Sequence, residues 1–283
     1  MSKFAEKVKT HLSEYKRHSL DIHVDGIWKS NGEPYGHILP ASQEMQNFLP
    51  SIKESLSDFV QQNRIKLHTN FLHLNSSQAM CLNFFYPLII TKRLEMILPF
   101  LSDQFIDEKI DYYSTCFEKD GQERVWLSES KGRITDDTPT SFDFYFQTLC
   151  GKKFFFEVKY TESTFGKEKD DDEHKEKFNM VYEKHLSHIK GKYRTLDSFL
   201  QHYQMMRNLT HIDDKSFVVF IYPSQNKEIV KEINIARDVL ENYTEHFFPI
   251  EWEKLVQYVA SRFSEERFAH FIVEFKEKYF FVP

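Results

Sequence analysis

Glycine is scarce in this chain, 8 in 283 residues, while phenylalanine and tyrosine number 28 and 14. So little glycine excludes collagen-like and flexible low-complexity sequences, and so much aromatic surface excludes a disordered chain. Cysteine is nearly absent. Cys81, Cys116 and Cys150 are widely spaced, odd in number and form no CxxC pair. That excludes a disulfide framework and a zinc ribbon, and makes a reducing cytoplasm the natural setting. Long apolar runs are missing too: the longest, around residues 88–101, is interrupted by Lys92, Arg93 and Glu95, so no membrane span is expected. The first sixteen residues are charged throughout and lack the apolar segment of a secretion signal. Nor is there a strong charge imbalance. A net charge of −6 argues against a surface that grips nucleic acid everywhere. An enzyme can still gather its cations in one cleft.

What is present is a succession of helical and strand-like patterns. Residues 4–16 are amphipathic, a turn-rich stretch follows around Asp25-Gly26 and Asn31 to Gly36, and a second amphipathic segment covers 43–64. Residues 1–70 are read as a helical N-terminal extension and 71–283 as the main domain. Ser76 is a candidate N-cap for a helix running toward Leu98, with a kink or break expected at Pro87. Residues 111–149 read as strands with turns at Asp120-Gly121 and Lys131-Gly132. Helices are expected over 178–192, 196–211, 227–245 and 251–263, a buried strand over 217–222, and a final strand or helix over 271–282. This order predicts an α/β sandwich in which helices flank a central mixed sheet.

The informative segment runs from Ser141 to Tyr160. Side chains alternate between the faces of a strand. Phe142, Phe144 and Phe146 therefore share one face, and Asp143, Tyr145 and Gln147 the other. A three-residue loop of Leu149, Cys150 and Gly151, with glycine left-handed, pairs Thr148 with Lys152. Counting back pairs Phe146 with Phe154, Phe144 with Phe156 and Phe142 with Val158, an apolar face. The same count sets Asp143 opposite Glu157, with Lys159 one step beyond.

Two carboxylates across a ladder sit about 5 Å apart at Cβ and repel unless something offsets them. A divalent cation does so. Mg²⁺, or Mn²⁺ in its place, needs only one or two carboxylates because it keeps several waters. Asp143 and Glu157 are the candidate metal ligands. Lys159, on the same side, is the candidate to assist the attacking water and to neutralise charge growing on a phosphate. Supplying no ligand, Lys159 is expected to be dispensable for folding.

An Asp followed by Glu-x-Lys on adjacent strands is the PD-(D/E)XK nuclease arrangement. The triplet alone says little, since Glu14, Asp107, Glu129, Glu173, Asp213 and Glu274 also begin one. Only the Glu157 triplet is preceded at hairpin distance by a face-matched Asp and set among aromatics. The segments from Pro139 to Phe146 and from Phe156 to Gly166 resemble a family of bacterial restriction endonucleases in that superfamily. The blocks from Ser76 to Leu88 and from Tyr203 to Asn208 are similar to it in the same order. The resemblance implies a restriction-endonuclease-like fold with Asp143, Glu157 and Lys159 as the active triad. One departure is Phe142, which stands where the superfamily's name has proline.

Further candidates surround the triad. Gln204, Arg207 and Asn208 share a helical face by spacing, and in PD-(D/E)XK folds the helix after the triad often supplies such polar groups to the site or the DNA backbone. Gln204 is the leading member. Glu162 has the wrong strand parity unless the chain bends. Gln78 and Asn83 do not lie close together on an ideal helix, so both need not face the site. Glu95 is a candidate extra acid, or a surface residue beside Lys92. His185, His188, Lys184, Lys190, Lys192 and Arg194 read better as a basic face for phosphate, or an ordinary exposed face, than as a zinc site. The leading expectation is a Mg²⁺-dependent endonuclease acting on DNA, dimeric if it cuts both strands. The alternatives are a catalytically silent nucleic-acid-binding module and a structural or interaction protein.

Overall fold

The computed structural model describes residues 2–121, 141–262 and 266–281, so the turn expected at Lys131-Gly132 lies outside them. The chain opens with α1 (Lys3–His18), capped by the Ser2 side chain, which accepts from the Ala5 N–H. A two-residue ribbon follows, β1 (Gly26–Ile27) and β2 (Pro34–Tyr35). The segment expected to be one helix over 43–64 divides into a 3₁₀ turn, Ala41–Asn47, and α2 (Lys53–Gln62). Pro50 accounts for the division, because it disfavours helical geometry at the residue before it.

Helix α3 (Ser77–Ile90) begins where expected, with the Ser76 hydroxyl accepting from Ala79 N–H. It does not break at Pro87. Every residue from Gln78 to Leu88 is buried, and this packing on all sides holds the helix through the proline. The helix ends instead at a left-handed Lys92 (φ +53°), with Lys92 N–H returning to Ile89 and Arg93 N–H to Leu88, a Schellman closure. A short α4 (Ile97–Leu101) leads into the sheet.

The sheet has the order β3 (Ile110–Asp120), β4 (Ser141–Thr148), β5 (Lys153–Val158), β6 (Ser216–Tyr222) and β7 (Phe247–Glu251). The first three strands are antiparallel, while β6 and β7 run parallel to β5. Strand β7 was not anticipated; its Pro249 is tolerated because β7 is an edge. Between β5 and β6 lie α5 (Asp172–Lys177), α6 (Leu196–Gln201) and α7 (Tyr203–Leu209). In place of a helix over 178–192 there is a π-helical turn, Phe178–Tyr182, and a 3₁₀ turn, Glu183–His185. The helix expected over 196–211 is interrupted at His202, whose φ and ψ of −127° and 41° are not helical. Helix α8 (Lys227–Val239) joins β6 to β7, and α9 (Trp252–Ala260) and α10 (Glu266–Tyr279) close the chain, the last segment being helix and not strand.

Two apolar layers enclose the sheet. Phe144, Phe146, Phe154, Phe156, Val219 and Ile221 share one core with α3, α9 and α10, and with Val8, Leu12, Leu56 and Val60 of α1 and α2. Phe85 of α3 stacks on Phe144 with ring centroids 4.1 Å apart. Tyr145, Phe155, Val218 and Phe220 form the second core with Met205, Met206 and Leu209 of α7 and Ile229, Ile233 and Ala236 of α8. The result is the expected α/β sandwich around a mixed sheet.

The hairpin register is as counted: Phe144 pairs with Phe156, Phe146 with Phe154, and Thr148 N–H donates to Lys152 O across the three-residue loop. Gly151 is left-handed (φ +87°) with open space around its Cα. Gly151→Ala should therefore cost about 1 kcal/mol through backbone strain alone, read as a lowered urea midpoint. An unchanged midpoint would mean that the turn does not fix the register.

Candidate active site

The triad is assembled where the β4–β5 ladder ends. In an unbroken ladder the Val158 N–H would meet the carbonyl of Phe142. It donates instead to Asp143 Oδ2 at 2.6 Å. The observed pairing stops at Phe144↔Phe156, and Phe142 turns to the other core, against Phe155 (5.0 Å) and His211 (5.2 Å). The continuous apolar face expected from Phe142 to Phe146 is thus broken at its first member. The Asp143 carboxylate has taken the place of a backbone acceptor.

Glu157, on the last turn of the pleat in β5, faces α7. Three groups converge on it. Lys159 Nζ lies 2.8 Å from Oε1, Gln204 Nε2 donates to Oε1 at 2.8 Å, and Asn208 Nδ2 donates to Oε2 at 3.0 Å. Lys159 Nζ also donates to Gln204 Oε1 at 2.9 Å and lies over the Phe165 ring. The backbone of Lys159 is pinned on both sides, its N–H by Ile221 O and its carbonyl by Trp252 Nε1. Glu157 and Lys159 are 3% and 7% exposed, so this ion pair is almost wholly enclosed.

Electrostatics follow the geometry. Burial, and then the charges of Glu157 and Glu118, hold the Asp143 carboxyl well above the usual carboxylate range. Burial would lower the Lys159 ammonium, but the carboxylates of Glu157, Glu162 and Asp143 outweigh it and leave Lys159 above its ordinary value.

The accessory candidates separate into groups. Gln204 and Asn208 reach Glu157, whereas Arg207 lies over the Tyr203 ring at 5.1 Å. Glu162 is returned by a bend after β5, where it accepts from Tyr160 N–H at 2.7 Å, close enough to influence Lys159. Gln78 does not touch the triad. It accepts from His68 N–H, and donates to Lys66 O and to Glu118 Oε1 at 2.8 Å. Asn83 faces elsewhere, bonded to Asn47, Leu49 and Tyr279.

Glu95 accepts from Tyr112 OH and stands apart from the triad. Glu274, which begins another acidic-x-Lys triplet, lies on helix α10, accepting from Ser51. The basic face is partly paired: Lys190 and Lys192 share Asp238, Arg194 pairs with Glu241, and Lys184 donates to Met180 O. His188 is buried with Nε2 on Leu209 O.

Sequence reasoning missed Glu118 and His68. On β3, Phe117 pairs with Phe144 and Lys119 with Phe142, which sets Glu118 beside Asp143. Its backbone is left-handed (φ +53°), an uncommon state for a non-glycine residue inside a strand. His68 Nε2 meets Glu118 Oε2 at 3.2 Å.

The donor set suits a hard divalent cation. Asp143 and Glu157 are two mutually repelling carboxylates, and Mg²⁺ completes its shell with water. Asn208 Oδ1, buried and without a hydrogen-bond partner among the described residues, offers an acceptor for such a water. Among the described residues no three His, Cys, Asp or Glu side chains stand arranged to hold a metal, so any ion here rests on the pair and on water.

No helix among the described residues is long and apolar enough to cross a membrane. No curated protein and no solved structure matches this chain. A family model does match, over residues 9–280, from within α1 to just past the end of α10. The chain belongs to the family described as restriction endonuclease associating with ARP.

Proposed function

We propose that this chain is a Mg²⁺-dependent endonuclease that hydrolyses DNA phosphodiesters, with Asp143 and Glu157 holding the cation and Lys159 acting on the attacking water. The observation that carries this reading is the convergence of Lys159, Gln204 and Asn208 on one buried carboxylate beside Asp143. Such a network fixes Glu157 in a single rotamer, the preorganisation a charge-stabilising site requires. Membership of a restriction endonuclease family supports DNA as the substrate.

A bound Mg²⁺, or Mn²⁺ in its place, supplies positive charge at the phosphate and acidifies water there. Lys159 uses two of its three N–H bonds on Glu157 and Gln204, leaving the third for the attacking water or a phosphate oxygen. Gln204 acts through both partners, bridging ammonium and carboxylate. A dimer would place one such site on each DNA strand, and the family's description, associating with ARP, supports ARP as a further partner.

The test is incubation of plasmid DNA with the protein in Mg²⁺, in Mn²⁺ and in EDTA. Nicked or linear product with either metal, and none in EDTA or with Glu157→Gln, is expected. Metal-independent cutting, or full cutting by Glu157→Gln, would remove this site from the reaction.

A further inference from the structure

The site as described has a surplus of negative charge facing an anionic substrate. Glu157, Glu162 and Asp143 surround the Lys159 ammonium, with Glu118 acting on Asp143 in turn, and that ammonium is buried and bonded to Glu157 and Gln204. Glu162, which acts on that ammonium, is also in the wall of a cleft of 320 Å³ lined by His68, Asn70, His73, Ser77 and Thr161, among others. At its rim His68 is half exposed, with Nε2 turned to Glu118. Both Glu118 oxygens are engaged, Oε1 by Gln78 and Oε2 by His68, so Glu118 is held as the partner of the His68 imidazole rather than as a metal ligand.

We propose that His68 is the cationic phosphate-binding residue of this cleft, taking a phosphodiester of the DNA strand as it leaves the carboxylates. This rests on the nuclease reading above. With Nε2 on Glu118, the imidazole presents Nδ1 as its remaining donor, a charge-assisted contact to a phosphate oxygen. The neighbouring imidazoles differ. Burial lowers His73, and lowers His37 to about 3, so neither carries charge near neutral pH. His68 is raised by its hydrogen bond to Glu118, with the charges of Glu118 and Glu157 adding and burial and Lys66 opposing. Glu162 and His73 are the other titratable groups on the cleft wall. Of these three imidazoles, His68 is the one paired with a carboxylate among the described residues.

The experiment is the binding of a fluorescein-labelled DNA duplex to the full chain in EDTA, by anisotropy, from pH 6 to 9 and over a range of salt. Wild type, His68→Gln, His68→Arg and Glu118→Gln are compared. Their melting curves serve as the folding control, and the exposed His68 side chain can change without opening the core. At pH 6, His68→Gln should bind about 10-fold more weakly, with the slope of log affinity against log salt reduced by about one, as for the loss of one phosphate contact.

Asp143 titrates in both proteins, so the difference between their pH curves isolates the imidazole. That difference should vanish toward pH 9 as His68 loses its proton. His68→Arg should keep its acid-pH affinity to pH 9, and Glu118→Gln should move the wild-type midpoint to lower pH. Wild-type affinity and salt slope in His68→Gln, with DNA still bound and cut in Mg²⁺, would overturn the inference and leave the nuclease reading standing. No binding or cutting of DNA by wild type under any condition would overturn both.

Discussion

Lys159→Ala loses cleavage by about 10³-fold, the scale of removing one preorganised donor from a charge-stabilising site, and it also destabilises the fold. The second effect comes from burial. Lys159 and Glu157 are both almost wholly enclosed, and removing one member of a buried ion pair leaves the other uncompensated, at a cost of about 3–5 kcal/mol. Asp143 suffers as well, because the Lys159 charge is the principal neighbour lowering its pKa. Without it the Asp143 carboxyl rises further, and the stability deficit grows with pH as ionisation is forced. Urea melts of the variant at pH 5 and pH 8, with cleavage assayed below its melting temperature, separate the two losses. The double variant Glu157→Gln with Lys159→Met leaves neither charge stranded and should recover much of the stability while recovering no cleavage. Near-wild-type cutting by Lys159→Ala would take lysine out of the mechanism.

Burial argues against the expectation that Lys159 is dispensable for folding, for a reason the strand pattern cannot carry. Parity places Lys159 on the carboxylate face, but it does not say how deep that face lies. Depth comes from α7, which lays Gln204 and Asn208 across Glu157, and from Trp252 of α9 behind the Lys159 backbone. Both are distant in sequence. What could be read were local relations: a three-residue turn, a constant pairing sum, and the spacing of Gln204 and Asn208 on one helix.

Glu118 and His68 were not legible for the converse reason. Strands β3 and β4 lie far apart in sequence, so no short-loop count reaches from one to the other, and the register shifts between Asp111 and Cys116 in any case. His68 lies in a loop whose place depends on Gln78 gripping its N–H. Phe142 departed from its parity because a side chain, Asp143, captured a backbone donor. Tertiary context did the same at Pro87, where burial kept a helix that propensity would have ended.

Asp143→Asn should separate repulsion from metal binding. In the unfolded chain the Asp143 carboxyl ionises near its usual value of about 3.9. In the native state burial, Glu157 and Glu118 raise it well above that. Between those two values the unfolded chain has released a proton that the native state keeps, so stability falls as pH rises through the window and stays low above it. Asparagine can still accept from Val158 N–H and carries no charge. In EDTA the variant should match wild type below the window and melt higher than wild type at neutral pH. Mg²⁺ reverses the order. Binding only the native state, at a concentration 100 times its Kd it adds about 2.7 kcal/mol to wild type, a rise of about 5–10 °C for a chain of this size. That rise should shrink as pH drops and protons compete for Asp143. The variant should show almost none of it at any pH. Melting curves of both proteins in EDTA, Mg²⁺ and Mn²⁺ from pH 5 to 8 decide the matter: a full metal-dependent rise in Asp143→Asn would mean that Asp143 is no ligand, and the proposed cation site would have to move.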